Sequence, residues 1–214
     1  MARPPDPEMR PRILDAADRL LARHGFRRMT VEALATEAAI GKGSVYLHFD
    51  SKEDVALSCI DRMAARVVER LEAIASGRAP VVQRLREMLR VRVLDRFDYA
   101  RRHAPSIDQK LAVMRQSMLE RRAVHFAREA AVLARVVEAG RRDGSLAARD
   151  PSSAGMALVI ATNALLPYSL SVRELGRRDA LAGQTEAVID LLLAGLVAHG
   201  PAPVESRPNP RRNP

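Results

Sequence analysis

Residues 30–53 read Thr30-Val31-Glu32-Ala33-Leu34-Ala35-Thr36-Glu37-Ala38-Ala39-Ile40-Gly41-Lys42-Gly43-Ser44-Val45-Tyr46-Leu47-His48-Phe49-Asp50-Ser51-Lys52-Glu53. Val31, Leu34, Ala35 and Ala38 recur at the i, i+3, i+4, i+7 spacing of one helix face, with Thr30 ahead of them as N-cap. Ala39-Ile40-Gly41 is a tight connection. Lys42–His48 then predicts a second short helix, with Val45 and Phe49 turned inward behind Ile40. Lys42, Ser44, Tyr46 and His48 fall largely on its outer surface. They offer a cation, two hydroxyls and a ring N–H. All are donors, which phosphate oxygens and base-edge acceptors require. Gly43 lets another backbone approach closely. Ser51-x-x-Asp54 resembles a capping box that opens the next helix. The unpaired N–H groups at the starts of these last two helices offer phosphate sites. Two of the three lysines, Lys42 and Lys52, stand at those starts in a chain that otherwise writes arginine.

Upstream, Pro11–His24 predicts a helix with Ile13, Leu14, Ala17, Leu20 and Leu21 on one face, stopped by Gly25. Two short helices joined by about three residues and backed by a preceding helix make a helix-turn-helix. Downstream, a fourth helix runs from Ser51 through Ala56, Ile60, Met63, Val67, Leu71 and Ile74 to Gly77. Further helices are expected at Val81–Phe97, Ser106–Met114, Leu119–Arg142, Ser152–Arg173 and Asp179–His199, with Pro167 kinking its helix. No run of alternating β-branched residues appears, so the fold class is all-α. Nine of the 13 prolines lie in the two tails. The expected organisation is a flexible arm over 1–9, a helix-turn-helix domain over 10–55, a helical domain over 56–199 and a disordered tail over 200–214.

The 214 residues carry 35 basic and 26 acidic side chains, a formal net charge of +9. Residues 1–55 hold nine of each and are neutral, so the excess lies outside the segment with the donors. Arginine makes up 32 of the 35 basic residues, which fits codon bias as well as binding. A nucleic-acid reading therefore rests on where the charges sit. The single cysteine, Cys59, excludes an intrachain disulfide framework and suits a reducing cytoplasm. Ala154–Tyr168 and Ala187–Ala198 are too short to span a bilayer and are broken by Asn163 and Asp190. Met1–Arg12 has no apolar core of a signal peptide.

The combination of Gly25-Phe26, Thr30 to Ala35, Ala38 to Phe49 and Ser51-Lys52-Glu53 resembles the TetR-type helix-turn-helix, over roughly residues 10–60. The resemblance implies a two-domain, all-helical, homodimeric transcriptional regulator. Its C-terminal domain would bind a small-molecule effector and dimerise. By the same resemblance Thr30, Lys42, Gly43, Ser44, Tyr46, His48 and Lys52 contact double-stranded DNA at a near-palindromic operator. Most would meet phosphate, with Lys42, Gly43 and Ser44 at base edges. Tyr46 is also readable as partly core, with only its hydroxyl outward. Two positions depart from the family pattern. Ala39 stands where glycine is frequent; if φ is positive there, alanine costs about 1 kcal/mol. Gly41 stands where serine commonly caps the recognition helix.

The remaining residues admit two readings each. Phe97, Tyr99, Met114, Met118, His125, Phe126 and Tyr168 line an effector cavity or simply pack the core. Arg115, Arg121 and Arg122 favour an anionic ligand or form a solvated face. Ala154, Ala157, Leu158, Ala161 and Leu165, with Val188, Leu191, Leu192, Gly195 and Leu196, form either internal core or a four-helix dimer interface; the resemblance favours the interface. His125 and Glu129 lie i, i+4 but are too few for a metal site, so no metal is expected. No cofactor is expected either. Gly41-Lys42-Gly43-Ser44 is similar to a phosphate loop but has Thr36 where the earlier glycine belongs and Gly43 where Ser or Thr should follow lysine. No hydrolase motif is present, and the chain reads as a non-enzyme. The leading function is a repressor released by an effector. The alternative is an effector-independent architectural DNA-binding protein, which the arginines of the tail, Arg207, Arg211 and Arg212, favour and the neutral N-terminal segment disfavours.

Overall fold

The computed structural model describes residues 8–165 and 175–197, with the side chains of 107–113 left aside. Tyr168, Pro167 and the 200–214 tail with its arginines lie outside the described residues. The apolar spacing read from the sequence closes helices at nearly the expected places. They are α1 (Met9–His24), α2 (Val31–Glu37), α3 (Lys42–Tyr46), α4 (Lys52–Ala75), α5 (Val81–Arg102), α6 (Ala104–Arg142), α7 (Pro151–Asn163) and α8 (Arg178–Leu196). A single 3-10 turn, Phe26–Arg28, links α1 to α2. Among the described residues there is no strand, only an isolated bridge between Leu146 and Val197.

Three expected boundaries move: α7 ends at Asn163, ten residues short of the expected Arg173, and two others lie in α5 and α6. α5 runs five residues past Phe97, and the separate helices expected at 106–114 and 119–142 form one helix with non-helical backbone at Met114 (φ −119°, ψ 16°). Nothing between them could stop a helix, since the only proline nearby, Pro105, lies in the first turn. The break at Met114 is a kink inside a continuous element.

A first core joins the inner faces of α1, α2, α3 and the start of α4. Ile13, Leu14, Leu21, Phe26, Met29, Leu34, Val45, Phe49, Val55 and Cys59 are buried there, with Met114 of α6. A second core lies between α5, α6, α7, α8 and the far half of α4, around Leu71, Leu85, Leu89, Leu133, Val137, Leu158, Val159 and Ile189. α4 therefore belongs to both cores. α6 and α7 cross so closely that a Cβ at Gly155 would stand 2.5 Å from the Ala130 carbonyl oxygen. No side chain fits there.

Polar ties join the two cores. Arg62 of α4 donates to Asp15 at 2.7 Å, to the Leu14 carbonyl at 2.9 Å and to Asp18. Ser106 donates to the Leu21 carbonyl at 2.8 Å. Arg121 of α6 bridges Asp54 and Asp61 of α4, and His125 Nε2 lies 2.8 Å from Asp61 Oδ1. Burial alone would push the Asp61 carboxyl up. The hydrogen bond to His125 and the charge of Arg121 outweigh it and hold Asp61 below the usual carboxylate range.

Candidate nucleic-acid interface

The reading surface is built from two short helices that could not stand alone, since five to seven residues barely repay a helix nucleus. Caps and core hold them. Thr30 Oγ1 accepts from the Ala33 N–H at 3.1 Å, and Ser51 Oγ accepts from the Asp54 N–H at 3.1 Å. The turn after α2 is a Schellman closure: Ile40 N–H reaches the Ala35 carbonyl at 3.0 Å and Ala39 N–H reaches Thr36 at 3.1 Å. That closure needs a left-handed residue, and Ala39 takes it at φ 52°. The sequence posed this as a condition; the structure meets it. Gly41 is the N-cap of α3 with no side-chain cap.

Val45 and Phe49 are buried at 1% and 2%, as their spacing required. That fixes the rotation of α3 and turns the donors out. Lys42 and Gly43 are exposed, and Ser44 and His48 are half-buried. A Cβ on Gly43 would meet nothing within 4 Å, so its backbone is open to close approach. Tyr46 is 51% exposed, so about half of the residue is open to solvent. Lys52 lies half-buried at the start of α4, its ammonium 4.6 Å from the Phe26 ring centroid. This cation–π contact aims a long side chain at the helix start.

Some features of the surface were not visible in the sequence. Lys42 is ion-paired with Glu32 of α2, which holds the Glu32 carboxyl below its ordinary range and the ammonium above its own. The Lys42 ammonium is therefore held by a carboxylate of the neighbouring helix. Leu47 is 84% exposed at the end of α3, an apolar side chain of the kind that meets thymine methyls. Arg28 is exposed two residues before Thr30, and Arg10 stacks over Phe49 at 4.8 Å. The paired arginines 27 and 28 before the cap were the available signal.

The expected effector residues fall into three places. Phe97 packs with Val93, Leu94, Leu175 and Leu181 in a small third core. Tyr99 stacks on His103 at 4.1 Å, and Met114 and Met118 pack on the first core. His125 faces Asp61, and Phe126 lies among arginines. Among the described residues these six thus have different neighbours. His125 and Glu129 also diverge, since Glu129 is taken up by Arg92 and Arg96. Of the small-residue stripes, Leu158 is core, whereas Leu191 is 76% exposed. The outer faces of α7 and α8 present Ala157, Ile160 and Ala164, and Ala180, Gly183, Ala187, Leu191 and Ala194. No described helix is long and apolar enough to cross a membrane.

Residues 13–59 match the family model described as bacterial regulatory proteins, tetR family. Over 99 residues the chain is 32% identical to the uncharacterized HTH-type transcriptional regulator YerO of Bacillus subtilis (strain 168), covering 45% of this chain and 32% of that protein. It is 30% identical over 73 residues to the fatty acid metabolism regulator protein of the same organism, covering 34% of this chain and 38% of the relative. The chain thus spans about a third of the length of the curated relatives it matches. The crystal structure of a transcriptional regulator from Cytophaga hutchinsonii superposes with a TM-score of 0.73 at 16% identity, covering 87% of this chain and 97% of that one. That likeness is one of fold.

Proposed function

We propose that this chain, whose residues 13–59 match the tetR-family model, is a cytoplasmic, homodimeric repressor of that family that binds a near-palindromic operator and is released by a small-molecule effector. The observation that carries the reading is the α2–turn–α3 surface. Buried Val45 and Phe49 lock it from behind, and Lys42, Ser44, Tyr46 and His48 stand in front. Thr30, Lys52 and the helix starts beside them meet phosphate, and Lys42, Gly43 and Ser44 meet base edges. The apolar outer faces of α7 and α8 pair with their copies in a second chain. That sets two recognition helices about 34 Å apart, one turn of duplex. The domains divide at about residue 55, with α4 running on into the effector-binding and dimerising part. An effector shifts the protein only by its difference in affinity for the two spacings.

Selection of bound duplexes from a random pool at near-physiological salt tests this. A two-fold symmetric site is the expected product. Bulk binding without enrichment would replace the repressor with the architectural alternative. Tyr46→Ala is expected to abolish binding to the selected site. Lys52→Ala is expected to weaken it uniformly and to reduce the salt slope by about one.

A further inference from the structure

The helices behind the DNA-binding unit enclose a charged cluster. Arg92 and Arg96, one turn apart on α5, both point at Glu129 of α6. Arg92 Nε donates to Glu129 Oε2 at 2.6 Å and Nη1 to Thr162 Oγ1 at 2.7 Å; Arg96 Nη2 donates to Glu129 Oε1. The Thr162 hydroxyl passes its own proton to the Leu158 carbonyl at 2.7 Å. Glu129 is fully buried, and the Arg96 side chain is 8% exposed. Both carboxylate oxygens are thus engaged, and these three side chains sum to one positive charge. Arg96 has no second acid among the described residues, and its buried Nε meets no acceptor there. The Phe126 ring lies 5.3, 5.8 and 5.6 Å from the guanidinium carbons of Arg92, Arg96 and Arg122.

An arginine cannot shed its proton to relieve such a site. Its planar fork matches a carboxylate, and Arg96 has donors to spare. Immediately beside Arg96 the same helix becomes apolar: Val93, Leu94 and Phe97 pack with Leu165, Leu175 and Leu181 apart from the main core. A cationic fork next to an apolar wall is complementary to an amphiphile. The excess of arginine over acid here disfavours a cation outright, and the planar fork matches a carboxylate.

We infer that Arg96 anchors the effector, and that the effector is an apolar molecule ending in one carboxylate. The inference rests on the reading of the chain as an effector-released regulator and adds the chemical class of the ligand. The site is also wired to the DNA-binding unit, because Phe126 follows His125, whose ring meets Asp61 of α4. A ligand that shifts Phe126 therefore pulls on the α4–α6 tie.

The test uses the full chain and two probes of equal length, dodecanoate and dodecan-1-ol. Direct binding is measured by calorimetry, and release from the selected duplex by fluorescence anisotropy. The expected result is a preference of about tenfold or more for dodecanoate in both. Arg96→Met should erase that preference while leaving duplex affinity without ligand unchanged. Arg96→Lys, which keeps the charge and loses the fork, should keep part of it and serves if the methionine variant fails to fold. Equal binding of the two probes, binding of neither, or an unchanged preference in the variants would overturn the inference. A purely structural triad would lower the melting temperature of both variants without moving the preference. Release by the alcohol alone would overturn the ligand class and leave the repressor reading standing. Absence of any selected duplex would sink the repressor reading, while the calorimetry would still decide the ligand class.

Discussion

Ala39 holds φ at 52°, the one non-glycine residue with positive φ among the described residues. The Schellman closure demands that conformation, and a Cβ makes it costly. Ala39→Gly is expected to stabilise the chain by about 1 kcal/mol, read as a higher urea midpoint with unchanged slope. An unchanged midpoint would mean that the turn absorbs the strain elsewhere. A second residue-level consequence concerns Lys42. Its Glu32 partner is fully in solvent, so the pair adds little to stability. On the proposed reading it opposes DNA binding, because the ammonium must leave the carboxylate to reach a base edge and the carboxylate repels the phosphates beside it. Glu32→Gln should tighten binding to duplexes of any sequence and steepen the dependence of log affinity on log salt by about one. Equal salt slopes would show that the Glu32 charge is not felt at the phosphates. The inward set of this surface was legible in the sequence, since i, i+4 spacing decides which residues face a core. The Glu32–Lys42 pair was not, because it joins two helices whose mutual angle no local pattern encodes.

At the scale of elements, the proposed coupling runs through the contact between α4 and α6. Asp61 is its centre, with Arg121 and His125 on either side. A carboxyl held low in the fold contributes stability that is fully present above its unfolded pKa, near 4, and is lost as pH falls through the folded value. The wild-type melting temperature should therefore drop below about pH 4 more steeply than that of Asp61→Asn. Parallel curves would remove Asp61 from this role. Asp18 is held low in the same sense: burial would raise it, and His103 and Arg62 override the burial. Helix existence was readable throughout, because every long segment carries a 3.6-residue apolar period. The expected split of α6 fell on the polar run Arg115-Gln116-Ser117, although no proline or glycine stood there to end a helix. The scatter of Tyr99, His125 and Phe126 over three neighbourhoods has a related origin. Period tells which residues share a face, and only packing tells which helix that face meets.

For the whole molecule, the decisive surface is the outer side of α7 and α8. Ile160 and Leu191 are 59% and 76% exposed, and Cβ atoms at Gly183 and Gly195 would meet nothing within 4 Å. Leu191→Asp is expected to leave helicity intact, yield monomers in sedimentation and lose most affinity for a two-fold site while keeping weak half-site binding. A dimer that survives this change would move the interface elsewhere. The position of α4 has a further geometrical consequence. From Lys52, beside the α3 surface, to Val67, inside the second core, the helix measures about 22 Å at 1.5 Å per residue. A tilt of about 7° about the buried end carries the recognition helix about 3 Å, close to the 3.4 Å rise of one base pair. In the proposed dimer, two copies tilting in opposite senses would put their reading heads nearly two base pairs out of step with an operator. Angular tolerance would then be a few degrees, and a ligand would have only to turn a rod by that amount to make a matched ruler a mismatched one.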